Sequence, residues 1–175
     1  DTLDLTDASL IDSSTLYGWG ADSGEVDITA DTIRILGAER SSAPFGLDTT
    51  GISTATGPWA GEGGDIRIRA ERLSMDSRGS INASSSSALR GGDIDVDVDD
   101  VQILGGSNVI ASALGTGDGG NVHVRAETVR VSGVHPDAAI SVEIFDLRGR
   151  RLRVLAADSA GGLPAWDGAD RSGRP

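Results

Sequence analysis

Lysine is absent from this 175-residue chain, so all 15 basic residues are arginine, and 27 acids leave a formal net charge of −12. That balance excludes nucleic acid as a partner, because there is no basic excess to neutralise phosphates. Cysteine is absent as well, which removes both a disulfide framework and a thiolate metal site. Two histidines, His123 and His135, are too few for an ordinary zinc centre. With three Trp, one Tyr and two Phe, the apolar content is Ile, Val, Leu and Ala, and a bulky aromatic core is excluded. No apolar run approaches the ~20 residues of a membrane helix, so no membrane span is expected. The chain opens on Asp1-Thr2-Leu3-Asp4 without an initiator Met or a signal peptide, and reads as an internal piece of a longer protein.

Glycine, at 25 residues, is plentiful, and it is periodic. Gly63-Gly64, Gly91-Gly92 and Gly119-Gly120 recur at intervals of 28 residues. Each pair opens an alternating run: Asp65-Ile66-Arg67-Ile68, Asp93-Ile94-Asp95-Val96 and Asn121-Val122-His123-Val124. Strict alternation predicts strand. A second apolar set follows (Leu73/Met75, Val101/Ile103, Val129/Val131), then a third (Ile81/Ala83, Val109/Ala111), and Val26/Ile28, Ile33/Ile35, Leu3/Leu5 and Ile11 continue the pattern backwards. One such unit cannot bury its apolar face alone, whereas stacked units lay every strand beside its counterpart one coil away. The expectation is an all-β fold: a parallel, right-handed β-helix of about five partial 28-residue coils, three short strands each, over residues 1–133. The step from Gly24 to Gly64 is longer than the repeat, and the excess maps to Gly37–Gly51, predicted to leave the solenoid as a loop carrying Pro44 and Phe45 as candidate contacts.

Stacking turns outward positions into columns. Asp27, Arg67, Asp95 and His123 form one, and Thr29, Arg69, Asp97 and Arg125 another; their alternating signs read as register control, since charges ~5 Å apart in water attract by only about 0.8 kcal/mol. A third column, Asp1, Asp31, Glu71, Asp99 and Glu127, is entirely acidic. Calcium would relieve that repulsion, with Asp31, Glu71, Asp99 and Glu127 as the oxygen ligands, although splaying into water would serve equally, and no other cofactor is expected. Neither a nonapeptide calcium-roll motif nor an EF-hand loop occurs. Trp19 and Trp59 each precede the next coil's glycine by five residues, which predicts that they stack on adjacent coils with Tyr17 close by. Exposed, the three would form a platform for sugar rings or a protein; the structural alternative is loop packing over the end of the core.

The run Gly63-Gly64-Asp65-Ile66-Arg67-Ile68-Arg69-Ala70-Glu71-Arg72-Leu73-Ser74-Met75, continuing through Gly79-Ser80-Ile81-Asn82-Ala83-Ser84, resembles the repeats of filamentous-haemagglutinin-like exoproteins. The resemblance covers about residues 1–133. It implies secretion through an outer-membrane partner by the two-partner route, and a role as adhesin, toxin stalk or surface fibre. The partners implied are a host or neighbouring cell surface, glycan or protein. The location implied is extracellular, at a bacterial cell surface.

Composition changes after a joint at Val134-His135-Pro136-Asp137. Residues 138–175 carry six Arg against five acids, and Ile140–Leu155 reads as strand, Gly-Arg turn, strand. With Trp166-Asp167-Gly168 and Gly173-Arg174-Pro175, this tail resembles the immunoglobulin-like module of flagellar hook-capping proteins and of type IX sorting domains, a partial β-sandwich with a structural or sorting role. No nucleophile has a local partner, and neither a phosphate loop nor a dinucleotide fingerprint occurs. A non-enzymatic stalk or adhesin is therefore expected. The alternative is a β-helix polysaccharide lyase or hydrolase, for which Asp95, Asp97 and Asp99 with Arg67, Arg69 and Arg125 form the plausible cluster, or a sugar-binding module. Even recurrence by coil argues for ladders, since a site usually breaks a repeat.

Overall fold

Alternating apolar and polar residues pair as parallel strands throughout the repeat region. The computed structural model describes residues 1–37, 50–132, 141–145 and 151–156. The strands are β1 (Thr2–Thr6), β2 (Leu10–Asp12), β3 (Val26–Thr29), β4 (Thr32–Leu36), β5 (Gly51–Ser53), β6 (Ile66–Asp76) and β7 (Ser80–Asn82). They continue with β8 (Ile94–Ile103), β9 (Asn108–Ile110), β10 (Val122–Arg125), β11 (Thr128–Val131), β12 (Ser141–Phe145) and β13 (Arg151–Ala156). No helix occurs among the described residues, and hence none long and apolar enough to cross a membrane.

β1 to β11 build a parallel β-solenoid of about 4 turns. Ile66 pairs with Ile94 and Val122 with Ile94, while Leu73 pairs with Val101, so the columns are those the period predicts. The division into three separate short strands per coil is corrected. In the third and fourth coils the first two strands are continuous, as β6 and β8, and β1, β3, β4, β10 and β11 join them in one seven-stranded sheet. The chain bends there without breaking because the small or narrow residues Ala70 and Val98 sit in register at the corner. The carbonyl of Asp31 keeps the bend hydrogen-bonded by accepting from both Glu71 and Arg72 N–H. β2, β5, β7 and β9 form a second, four-stranded sheet, extended by single bridges linking Thr15, Thr56, Ser85 and Ala113.

Inside, Ile33, Ile35, Ile66, Ile68, Leu73, Met75, Ile81, Ile94 and Val101 are buried in stacked columns. Beyond the strands of the second sheet the interior is lined by hydroxyls, with Thr54, Thr56, Ser85 and Ser87 also buried. There Thr54 Oγ1 donates to the Gly64 carbonyl and Ser87 Oγ to that of Gly61, so side chains satisfy backbone groups that no strand reaches. The glycine repeat has a steric origin. A Cβ on Gly64, Gly92 or Gly120 would overlap the carbonyl oxygen of the equivalent glycine one coil earlier, namely Gly24, Gly64 or Gly92.

Between the two sheets the coil turns on two left-handed residues: Asp7 and Ala8 (φ 53° and 65°), Ser77 and Arg78 (51° and 70°), and Gly105 and Gly106 (57° and 75°). Bonds from Ser9 N–H to Thr6 O (3.0 Å), Gly79 N–H to Asp76 O (3.1 Å) and Ser107 N–H to Leu104 O (3.0 Å) close a type I′ pattern. The second coil interrupts this corner. Leu36 pairs with Asp76 and Gly51 with Ser80, so residues 37–50 occupy the step that residues 77–79 cover one coil later. The insertion therefore lies between the second and third strands of its coil, where the spacing predicts it; Pro44 and Phe45 fall outside the described residues.

The chain divides into two compact units, Asp1–Arg130 and Val131–Pro175. In the second, β12 and β13 form an antiparallel pair from Ser141↔Ala156 to Phe145↔Arg151, with an irregularity at Ile144/Phe145. The joint at residues 134–137, the turn between these strands and the segment with Trp166 lie outside the described residues.

Candidate functional site

Trp19 and Trp59 lie on adjacent coils because Gly20 N–H donates to the Trp59 carbonyl (2.8 Å). Their indoles stack with ring centroids 5.9 Å apart and planes 20° from parallel. Neither packs over the core: Trp19 is 85% exposed, Trp59 61% and Tyr17 88%. Aromatic area of this size is ordinarily buried, and stacking removes only part of it from water.

Beside the stack runs an open groove of about 300 Å³, walled by Tyr17, Leu16, Pro58 and Leu114. Leu16, Gly57, Ser86 and Leu114 each follow a bridged residue of the Thr15, Thr56, Ser85, Ala113 ladder, so the groove crosses coils along the solenoid axis. Asn82, Ser84 and Ser86 add polar groups to its lining. The Asn82 Oδ1 accepts Ser84 N–H (2.9 Å), and Ser84 Oγ meets Ser112 Oγ at 3.1 Å. The lining contains no Asp, Glu, His or Arg.

The charged face lies on the other sheet. Asp27, Arg67, Asp95 and His123 are in register, as are Thr29, Arg69, Asp97 and Arg125. Arg67 and Arg69, however, pair outside their own columns: Arg69 bonds Asp27 (3.0 Å), and Arg67 reaches Glu25 and Asp65. Diagonal carboxylates lie within reach of a long guanidinium, whereas Arg34 and Arg72 on the same sheet pair with the in-register Asp4 and Asp100. His123 does bond within its column, to Asp95 at 3.2 Å. The residues of the lyase-like cluster are thus spread along ladders in which Arg67, Arg69, Asp95 and His123 already have partners.

At the start of each repeat a carboxylate links coils directly. Asp65 Oδ1 accepts Asp93 N–H (2.9 Å), and Asp93 Oδ1 accepts Asn121 N–H (2.7 Å) as well as a bond from Arg90. The Arg90 guanidinium, with the Asn121 N–H, holds the Asp93 carboxyl below its ordinary range. A carboxyl lowered in the folded state contributes stability above the unfolded carboxyl range, near pH 4, and loses it as pH falls through that range and below. Because solvent screens the Arg90 contact, Asp93→Asn is expected to be less stable than the parent by no more than about 1 kcal/mol at pH 7, a gap that narrows as pH falls below the ordinary carboxyl range, by urea denaturation at a neutral and an acid pH. An equal gap at both would remove this assignment.

The acidic column is held in register by backbone bonds, Asp31 N–H to Asp1 O, Glu71 N–H to Asp31 O and Glu127 N–H to Asp99 O (each 3.0 Å). Its side chains point outward: Asp31, Glu71, Asp99 and Glu127 are exposed, and among the described residues no three acidic or histidine side chains converge as a metal site. Leu16, Pro58 and Leu114 belong to no motif in the sequence, and Asn82 and Ser84 enter it only as part of the third-strand run. The signal was a break in a column, where Leu16 and Leu114 replace the small Gly57 and Ser86. The chain matches no protein-family model, no curated protein and no solved structure.

Proposed function

We propose that this chain is a non-enzymatic segment of a secreted or cell-surface bacterial exoprotein, a stalk or adhesin of the filamentous-haemagglutinin-like kind. The parent protein would leave the cell through an outer-membrane partner. The observation that carries the reading is the contrast between the solenoid's two outer faces. Charges recur by coil and pair among themselves, while the corner with Tyr17, Trp19 and Trp59 departs from the repeat and leaves large aromatic surface in water. A solenoid that leaves this aromatic corner exposed suits contact with a partner. Lyase or hydrolase chemistry would need acid, base and charge-stabilising groups gathered around one bond, and the ladder charges are instead spaced by architecture.

Incubation with pectin, alginate and neutral glucans is expected to release no reducing ends or unsaturated uronate. Labelled protein is expected to be retained on epithelial or bacterial cells. Turnover of any of these polymers would overturn the non-enzymatic reading, and absence of retention on cells would overturn the adhesin.

A further inference from the structure

We infer that the groove between Tyr17, Leu16, Pro58 and Leu114, with the neighbouring Trp19–Trp59 stack, binds a neutral polysaccharide lying along the solenoid axis. This rests on the adhesin reading and names its ligand class.

Three properties of the groove select that class. Its walls are apolar and aromatic whereas its lining carries hydroxyl and amide groups, and a pyranose presents that same pair, a C–H face and a hydroxyl rim. The Asn82 amide is oriented in advance: its Oδ1 accepts Ser84 N–H, leaving Nδ2 as a donor with no partner among the described residues. Donors fixed before binding cost little entropy when the ligand arrives.

The second property is charge. No lining residue is acidic or basic, yet the chain carries −12. An anionic polymer such as a uronate would meet repulsion on approach and find no arginine in the groove to offset it, whereas a neutral polymer meets neither.

The third is direction. The column Leu16, Gly57, Ser86, Leu114 passes through four successive coils, about 14 Å at ~4.8 Å per coil. The coil spacing is close to the length of one hexose in an extended chain, so side chains one coil apart fall opposite successive sugars. The stacked indoles follow Tyr17 and Pro58 of the groove in sequence on the first two coils.

The test is affinity electrophoresis of the whole chain in gels containing galactomannan, xyloglucan, hydroxyethylcellulose or dextran, with alginate as the anionic control. Retardation is expected in at least one neutral gel and not in alginate. Tyr17→Ala, Trp19→Ala and Ser86→Trp, the last filling the groove, are each expected to weaken it at least fivefold, with melting temperatures unchanged for the two exposed aromatic positions. No retardation in any neutral gel, equal retardation in alginate, or retardation untouched by all three substitutions would overturn the inference. Retention on epithelial cells before and after periodate oxidation of their glycans separates this inference from the reading beneath it. Loss after periodate supports the groove as a glycan site. Binding that survives periodate leaves an adhesin with a protein partner and rejects the glycan, and failure to bind either cells or polymers rejects both.

Discussion

Replacing Gly92 by alanine is expected to destabilise the solenoid by about 3 kcal/mol or more, a loss on the order of 10 °C in melting temperature. The added methyl has nowhere to go. It would overlap the carbonyl oxygen of Gly64, and Gly120 stands in the same relation to Gly92 from the next coil, so relief requires parting two coils of the stack. The effect propagates because a solenoid's stability is the sum of its coils and the interfaces between neighbours, and one weakened interface divides the stack. Gly106→Ala is the control. That glycine has φ 75° with only the Arg78 Cγ, at 3.9 Å, near a new methyl, so the substitution carries a conformational cost of about 1 kcal/mol and no clash. Thermal melts of both variants test this; equal losses would mean that backbone conformation, not coil contact, is what the Gly-Gly repeat protects.

Ile94→Ala is expected to cost about 2–5 kcal/mol, measured by chemical denaturation. Ile94 is fully buried, pairs with Ile66 on one side and Val122 on the other, and among the described residues the core cluster around it holds no aromatic side chain to collapse into the space it leaves. Val122 belongs to the same column one coil later but is 41% exposed, so Val122→Ala should cost under about 1 kcal/mol. A solenoid interior is a chain of such columns, and the gradient from Ile94 to Val122 measures how much of a side chain's worth comes from having a coil on both sides. Equal losses at the two positions would contradict it.

The periodic parts of this molecule were legible because stacking makes structure from repetition. An interval of 28 residues is enough to pair Arg67 with Asp95 and Ile66 with Ile94, and a shift in spacing is enough to place the extra residues of the second coil between β4 and β5. The five-residue offset from the glycines likewise brings Trp19 and Trp59 together. What spacing could not separate was two strands joined at a gentle corner from one strand bent there, since Ala70 and Val98 permit either; hydrogen bonding across coils makes β6 and β8 continuous.

From sequence alone came the fold class, the coil register and the identity of the outward columns, all consequences of local alternation repeated at fixed intervals. Tertiary structure decided what those columns do. Arg67 and Arg69 leave their columns for Glu25 and Asp27, while Arg34 and Arg72 pair with the in-register Asp4 and Asp100, and the acidic column keeps its register through backbone bonds while its side chains turn to solvent. It also decided that the aromatics stand in water and that Leu16, Tyr17, Pro58 and Leu114 enclose a groove with Asn82 and Ser84, residues drawn from successive coils. The physical reason is that a repeat specifies which backbone lies beside which, whereas a site depends on where side chains of unequal length point once those backbones are stacked.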